Sequence, residues 1–155
     1  QVWPDDVGRP IADDLADWKA RFAARVFNPD DFRAPMSSGS FRTVGMIVIP
    51  CSMRTVSAIA SGLSSNLLER AADVTIKEGR PLLLVPRESP LSAIHLENML
   101  KLARLGVRIA PPMPQFYLRP ATSDEIVDRM VRRTLDVFGV EGALPEQLRW
   151  RGDEE

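Results

Sequence analysis

Gly45-Met46-Ile47-Val48-Ile49-Pro50-Cys51-Ser52-Met53-Arg54-Thr55 joins two periodicities at one point. Met46 to Ile49 is a short, continuously apolar run, the pattern of a strand covered on both faces. Pro50-Cys51-Ser52 interrupts it, and Met53 to Ala60 has helical character. A strand that leads directly into a helix is the opening of a βαβ unit, so this stretch places the chain among the α/β proteins.

The alternation continues downstream. After Ser61-Gly62 a second helix is expected from about Leu63 to Ala72, and Pro81 to Pro86 reads as the next buried strand. Leu91 to Leu105 predicts a helix with Leu91, Ile94, Leu96, Met99, Leu102 and Leu105 facing inward and Gly106 as its stop. Val107 to Ala110 is a third strand, closed by Pro111-Pro112. Thr122-Ser123-Asp124-Glu125 has the form of a capping box and opens a last helix, which carries Ile126, Met130, Leu135 and Val137 and stops by Gly139. Upstream, Val2 to Pro10 reads as an exposed arm. Ala12 to Phe27 reads as an amphipathic helix with Leu15, Trp18, Phe22, Val26 and Phe27 on one side. Pro35 and Ser37-Ser38-Gly39-Ser40 form a polar loop. The chain thus divides into an acidic arm, helix and loop over 1–40, a parallel α/β core over 41–141 and a tail over 142–155. Strands separated by helices imply right-handed crossovers and a parallel sheet, with ligands beyond the C-terminal ends of the strands. Only three strands are visible, so a partner strand is expected to be missing or supplied by another chain.

Composition narrows the function. With 45% hydrophobic and 26% charged residues among 155, the chain is an ordinary globular one. A formal charge of −1 removes the general electrostatic case for nucleic-acid binding. One cysteine, Cys51, and one histidine, His95, exclude an internal disulfide and a Cys/His zinc cluster. No apolar stretch approaches the ~20 residues that span a bilayer, and the first residues have no signal-peptide pattern. The expectation is a cytoplasmic domain without membrane or nucleic-acid partners. Only Lys19, Lys77 and Lys101 are lysines among twenty basic residues, and arginine is the better bidentate partner for phosphate.

Several residues at the expected ligand edge could carry chemistry. Ser52 and Thr55 open a helix, either as anion ligands or, for Ser52, simply as its N-cap. Cys51 beside them reads as a buried structural thiol rather than a nucleophile. Arg87-Glu88 follows the second strand, and its arginine is placed to meet an anion. Tyr117 follows the third strand, where its hydroxyl bonds a phosphate or packs the loop. Arg129 and Arg133 share a helix face, whose plain reading is a solvated basic stripe. His95 reads as a structural residue. Together these describe a metal-free pocket for a phosphate-bearing ligand.

The ordered series of motifs from about Ala24 onward resembles the UbiX/Pad-type flavin prenyltransferases. It comprises Ser37-Ser38-Gly39-Ser40-Phe41, Gly45 to Thr55, and Ala71-Ala72-Asp73-Val74 with Lys77-Glu78 and Arg80-Pro81-Leu82. Val85 to Leu91, Pro111-Pro112, Phe116-Tyr117 and Arg119-Pro120 complete it. The resemblance implies a flavodoxin/Rossmann-like three-layer sandwich, here missing its first strand or strands, with 41–141 as the flavin-binding core. The implied activity joins a dimethylallyl group from dimethylallyl phosphate to reduced FMN, without metal. The product, prenylated FMN, serves a UbiD-type decarboxylase. Ser52, Met53, Arg54, Thr55 and Arg87 fall on FMN. Lys77, Tyr117 and Arg133 fall on the prenyl phosphate, Arg87 is shared with that substrate site, Glu88 lies beside them as a further catalytic group, and Trp150 matches a substrate-side tryptophan. Arg54 stands where some members have lysine. A closed homo-oligomer, commonly a dodecamer with sites at subunit contacts, is also implied. The family's Gly-Ala-Ser-Gly turn is not found in the first forty residues. Three accounts follow. The protein is a flavin prenyltransferase whose glycine-rich segment lies outside this sequence, a shortened FMN-binding or decarboxylase-associated paralogue, or a member of the neighbouring flavin-dependent cysteine decarboxylases. The last carry Pro-Ala-Ser-Ala-Asn-Thr where this chain has Pro50 to Thr55 and rank third. Retention of Lys77, Arg87, Tyr117 and Arg133 favours the first.

Overall fold

Five consecutive apolar residues, Leu82–Pro86, are all buried and form β2, the central strand of the described sheet. The structure, a computed structural model, describes residues 20–22 and 24–149. In chain order the elements are β1 (Met46–Cys51), α1 (Met53–Ala60), α2 (Leu67–Lys77), β2, α3 (Ala93–Arg104), β3 (Arg108–Ile109) and α4 (Ser123–Phe138). Short 3-10 turns cover Pro35–Ser37, Phe116–Leu118 and Glu146–Leu148. The order is β1-β2-β3 and both pairings are parallel, with Met46 opposite Leu82 and Leu84 opposite Ile109. Val48, Val56, Ile59, Leu84, Leu102 and Val107 form the centre of the core.

Each helix begins at a polar residue that closes its first turn. Ser52, Asn66, Ser92 and Thr122 accept the backbone N–H of Thr55, Glu69, His95 and Glu125 at 3.2, 2.9, 3.3 and 3.2 Å. Such caps contribute about 1 kcal/mol each. They also decide the starts. The second helix was expected from Leu63 to Ala72, but Asn66 caps it, and the Ser65 N–H is taken by the buried Glu69 carboxylate at 2.8 Å. It therefore runs from Leu67 to Lys77. At Thr122 the expected box is offset, because the Glu125 carboxylate accepts from Ala121 N–H at 2.9 Å.

Three other expectations are corrected. On α3 only Leu102 is buried, with Met99 packed partly against the core, while Ile94, Leu96 and Leu105 are exposed. Residues two apart on a helix point ~200° apart, so Ile94 and Leu96 cannot both face inward. β1 is not covered along its length: Ile49 is 58% exposed, since β1 pairs on one side only among the described residues. Of the helix expected from Ala12 to Phe27, Leu15 and Trp18 lie outside the described residues. Residues 20–22 are helical, and the chain from Ala24 to Phe27 is irregular. The apolar stripe of α4 is as expected, with Ile126, Met130, Leu135 and Val137 half-buried.

The loop before β1 is tied to the start of β2. Arg80 donates to the Phe41 and Gly39 carbonyls at 2.8 and 2.6 Å, and Arg70 donates to the Ser37 carbonyl at 3.1 Å. Gly45, at φ 152°, closes the same corner. A Cβ there would lie 2.6 Å from the Pro81 carbonyl oxygen and 2.7 Å from the Phe138 ring. Gly45→Ala should therefore lower stability by about 1–3 kcal/mol, read as a lower denaturant midpoint at unchanged slope. An unchanged midpoint would mean that this corner is loose.

Candidate functional site

β1, β2 and β3 end on the same edge, so the segments after them converge there. Met53, at the start of α1, borders a cleft of about 180 Å³ together with Arg87, Glu88, Met99, Pro111 and Met113. A second cleft of about 410 Å³ is bordered by Tyr117, Arg129, Arg133, Leu144, Leu148 and Arg149. A small cleft of about 50 Å³ links them, sharing Pro111 to Met113 with the first and Gln115 and Arg133 with the second. The result is a track along the C-terminal edge, apolar at its middle and cationic at its far end.

Residue types explain the two ends. Ser52 is the helix cap, and its hydroxyl also shares a hydrogen bond with the Thr55 hydroxyl at 3.0 Å. Its side chain remains exposed at the sheet edge, as do Arg54, Arg87 and Glu88. Cys51 is 2% exposed, and burial pushes its thiol up to about 11, so it is a packed hydrophobe. His95 Nδ1 accepts from the Ser92 N–H at 3.3 Å, a capping role that agrees with its structural reading. At the cationic end Arg129 donates to the Leu118 carbonyl at 3.1 Å, which fixes the turn bearing Tyr117. Arg129 and Arg133 border the same cleft, as their spacing on one face predicts. Arg132 instead pairs with Asp128 at 2.6 Å.

Two residues at this end carry no signal that the sequence reading used. Asp136 accepts from Arg133 on one carboxylate oxygen and from Arg149 on the other, both at 2.6 Å. Arg149's hydrogen bond, then Arg133's, hold its carboxyl below the usual range. Arg149 comes from the tail, thirteen residues on, a separation with no helical period.

Lys77 lies elsewhere. It ends α2 and pairs with Glu78 at 2.6 Å, which lowers the Glu78 carboxyl. The chain then enters β2, so Lys77 is at the N-terminal edge and Arg87 at the C-terminal edge, with β2's ~13 Å between. Lys77 borders neither large cleft. Within one chain it does not meet Tyr117 and Arg133. Trp150 lies outside the described residues. Among those residues no group of three His, Cys, Asp or Glu side chains is placed to hold a metal. No described helix is long and apolar enough to cross a membrane.

Residues 5–135 match the family model described as Flavoprotein. A probable UbiX-like flavin prenyltransferase of Escherichia coli O157:H7 is 60% identical over 125 residues, covering 81% of this chain and 62% of the relative. The crystal structure of AnUbiX (PadA1) in complex with FMN and dimethylallyl pyrophosphate is 48% identical with a TM-score of 0.80. That match covers 88% of this chain and 71% of the other. The chain belongs to the flavoprotein family, in its UbiX-type branch. A dodecameric FMN-dependent UbiX-like decarboxylase from Escherichia coli O157:H7 also superposes, with a TM-score of 0.75 at 60% identity, over 81% of this chain and 67% of that one. The chain spans less than two thirds of the length of the curated relatives it matches first. The three parallel strands and their helices correspond to the α/β fold of these UbiX structures.

Because the thiolate is the reactive form, this UbiX-type chain should resist alkylation at Cys51 while folded. Labelling with iodoacetamide at pH 8 should be slow and should accelerate on unfolding. Fast labelling at pH 8 in the native state would contradict the burial.

Proposed function

We propose that this protein is a flavin prenyltransferase, transferring a dimethylallyl group from dimethylallyl phosphate to reduced FMN without a metal. The observation that carries this reading is the continuous track from the Met53–Arg87 cleft to the Tyr117–Arg133 cleft. One end offers a helix N-terminus, hydroxyls and Arg87, a donor set that suits a flavin. The other end offers arginines and a phenol, which suit a phosphate monoester. The residues between, Pro111, Pro112 and Met113, are apolar and would keep water from a reactive allylic group.

In this reading Ser52, Met53, Arg54, Thr55 and Arg87 hold FMN, which supplies the nucleophilic ring atoms. Arg133 and Tyr117 hold the phosphate, and they stabilise its growing charge as the allylic C–O bond breaks and the electron pair leaves with oxygen. Glu88 stands beside Arg87 at the flavin-side cleft, where a carboxylate serves for proton transfer. Lys77 acts on the phosphate from a neighbouring copy. Its position at the opposite sheet edge supports this, as does the 77% exposure of Tyr117 in a single chain. A closed homo-oligomer, a dodecamer in the form the similar UbiX-like decarboxylase takes, would bring the two edges together. Trp150 would join the substrate side. Prenylated FMN then passes to a UbiD-type decarboxylase. A lone free cysteine fits action in the reducing cytoplasm.

Replacing Arg133 by Ala or Tyr117 by Phe in the full-length protein should raise the KM for dimethylallyl phosphate about tenfold or more. FMN binding, followed by flavin fluorescence, should change by less than about twofold. Equal loss of FMN affinity would sink the division of the track. Retained FMN binding with no prenyl transfer by the wild-type protein would leave an FMN-binding, decarboxylase-associated role instead. In light scattering Lys77→Ala should keep the particle size of the wild type, and its activity should be restored by mixing with Arg133→Ala protein after subunit exchange. Failure of such mixing to restore any activity would place Lys77 outside the site.

A further inference from the structure

The cationic cleft is built around a carboxylate that it does not expose. Asp136 does not border the cleft, and its side chain is 13% exposed, whereas Arg133 and Arg149 both line the cleft and both end on it. Arg133 is one turn earlier on α4, and Arg149 arrives from the tail behind the Glu146–Leu148 turn. Each uses one terminal nitrogen on Asp136 at 2.6 Å, which leaves further N–H donors on both guanidinium groups. Among the described residues Glu146 also approaches the pair, 65% exposed and 3.7 Å from Arg149, where solvent screens it.

Two guanidinium groups brought together repel unless a counter-charge lies between them. Asp136 supplies that charge from behind and leaves the front of the cleft positive, with Arg129 as a third cation. A phosphate monoester carries about −1.5 to −2 charge at neutral pH, so it matches such an excess. The tail also brings Leu144 and Leu148 to the same cleft, so Arg149 stands beside an apolar wall.

We propose that Arg149 is an additional phosphate-binding residue of this cleft, and that Asp136 is the positioning residue that orients Arg149 and Arg133 together. This rests on the reading of the cleft as a phosphate site. The roles differ in kind: Arg149 touches the ligand, and Asp136 acts only through the two arginines. Lysine at position 149 reaches Asp136 as a point charge but cannot fork between a carboxylate and a phosphate.

The test is titration of the full-length protein with inorganic phosphate and with dimethylallyl phosphate by calorimetry, with flavin fluorescence as a separate measure of FMN binding. Arg149→Ala should weaken both phosphate ligands about tenfold, and Arg149→Lys should recover only part of that loss, with FMN affinity unchanged in both. Asp136→Asn should raise the KM for dimethylallyl phosphate while kcat at saturation stays within about twofold, and Asp136→Glu should recover the wild-type KM. If Arg149→Ala and Arg149→Lys bind both ligands as the wild type does while Arg133→Ala does not, this inference is overturned and the phosphate site stands. If Arg133→Ala binds them unchanged as well, the phosphate reading of the cleft falls with it. Should Asp136→Asn lower kcat, KM and FMN affinity together, its role is general stability and the positioning assignment fails.

Discussion

The parallel pairing of β2 with a strand on each side is the constraint on which the remaining structure depends. Leu82 to Pro86 can be buried without exception only if both faces of the sheet are covered. Parallel neighbours cannot be joined by a tight turn, so each return must cross a face as helix. α1 and α2 make one return, both packing against β2, and α3 makes the other, packing against α1 and β3. One consequence is chemical. All three strands end at one edge, and every loop able to carry a ligand residue begins there.

That edge is organised by simple local devices. Polar caps start the helices at Ser52 and Ser92, so exposed hydroxyls and backbone N–H groups stand beside the strand ends. The chain after β3 crosses Pro111 to Met113 before turning at Phe116–Leu118, which lays an apolar bridge between the cleft at Met53 and Arg87 and the arginine-rich one. α4 runs back toward the start of the sheet, and its end is held where Arg108 donates to the Val137 and Phe138 carbonyls at 2.6 and 3.1 Å. This direction sets Arg129 and Arg133 on the same cleft as Tyr117.

Much of this was legible in the residues. Continuous apolar runs marked β1 and β2, and β2 is buried along its whole length. Spacing by four put Arg129 and Arg133 on one face. Failures came where local pattern underdetermines packing. Leucine and isoleucine surround much of α3, and hydrophobicity alone does not say which of them meets α1 and the sheet. The polar residues Ser64, Ser65 and Asn66 follow the expected start at Leu63, and only the hydrogen bonds of Asn66 and Glu69 move the start of α2 to Leu67.

By itself, then, the sequence determined the class of fold, the order of its elements, the glycine stops after α3 and α4 and the chemistry available at the ligand edge. These depend on short-range periodicity and on side-chain types. Only the tertiary structure decided that Lys77 stands at the opposite edge from Arg87, that β1 is open on one side among the described residues, and that Arg149 and Arg133 converge on Asp136. Each of those facts is a relation between distant chain segments brought together by burial of the sheet, and no local spacing encodes where such segments will meet.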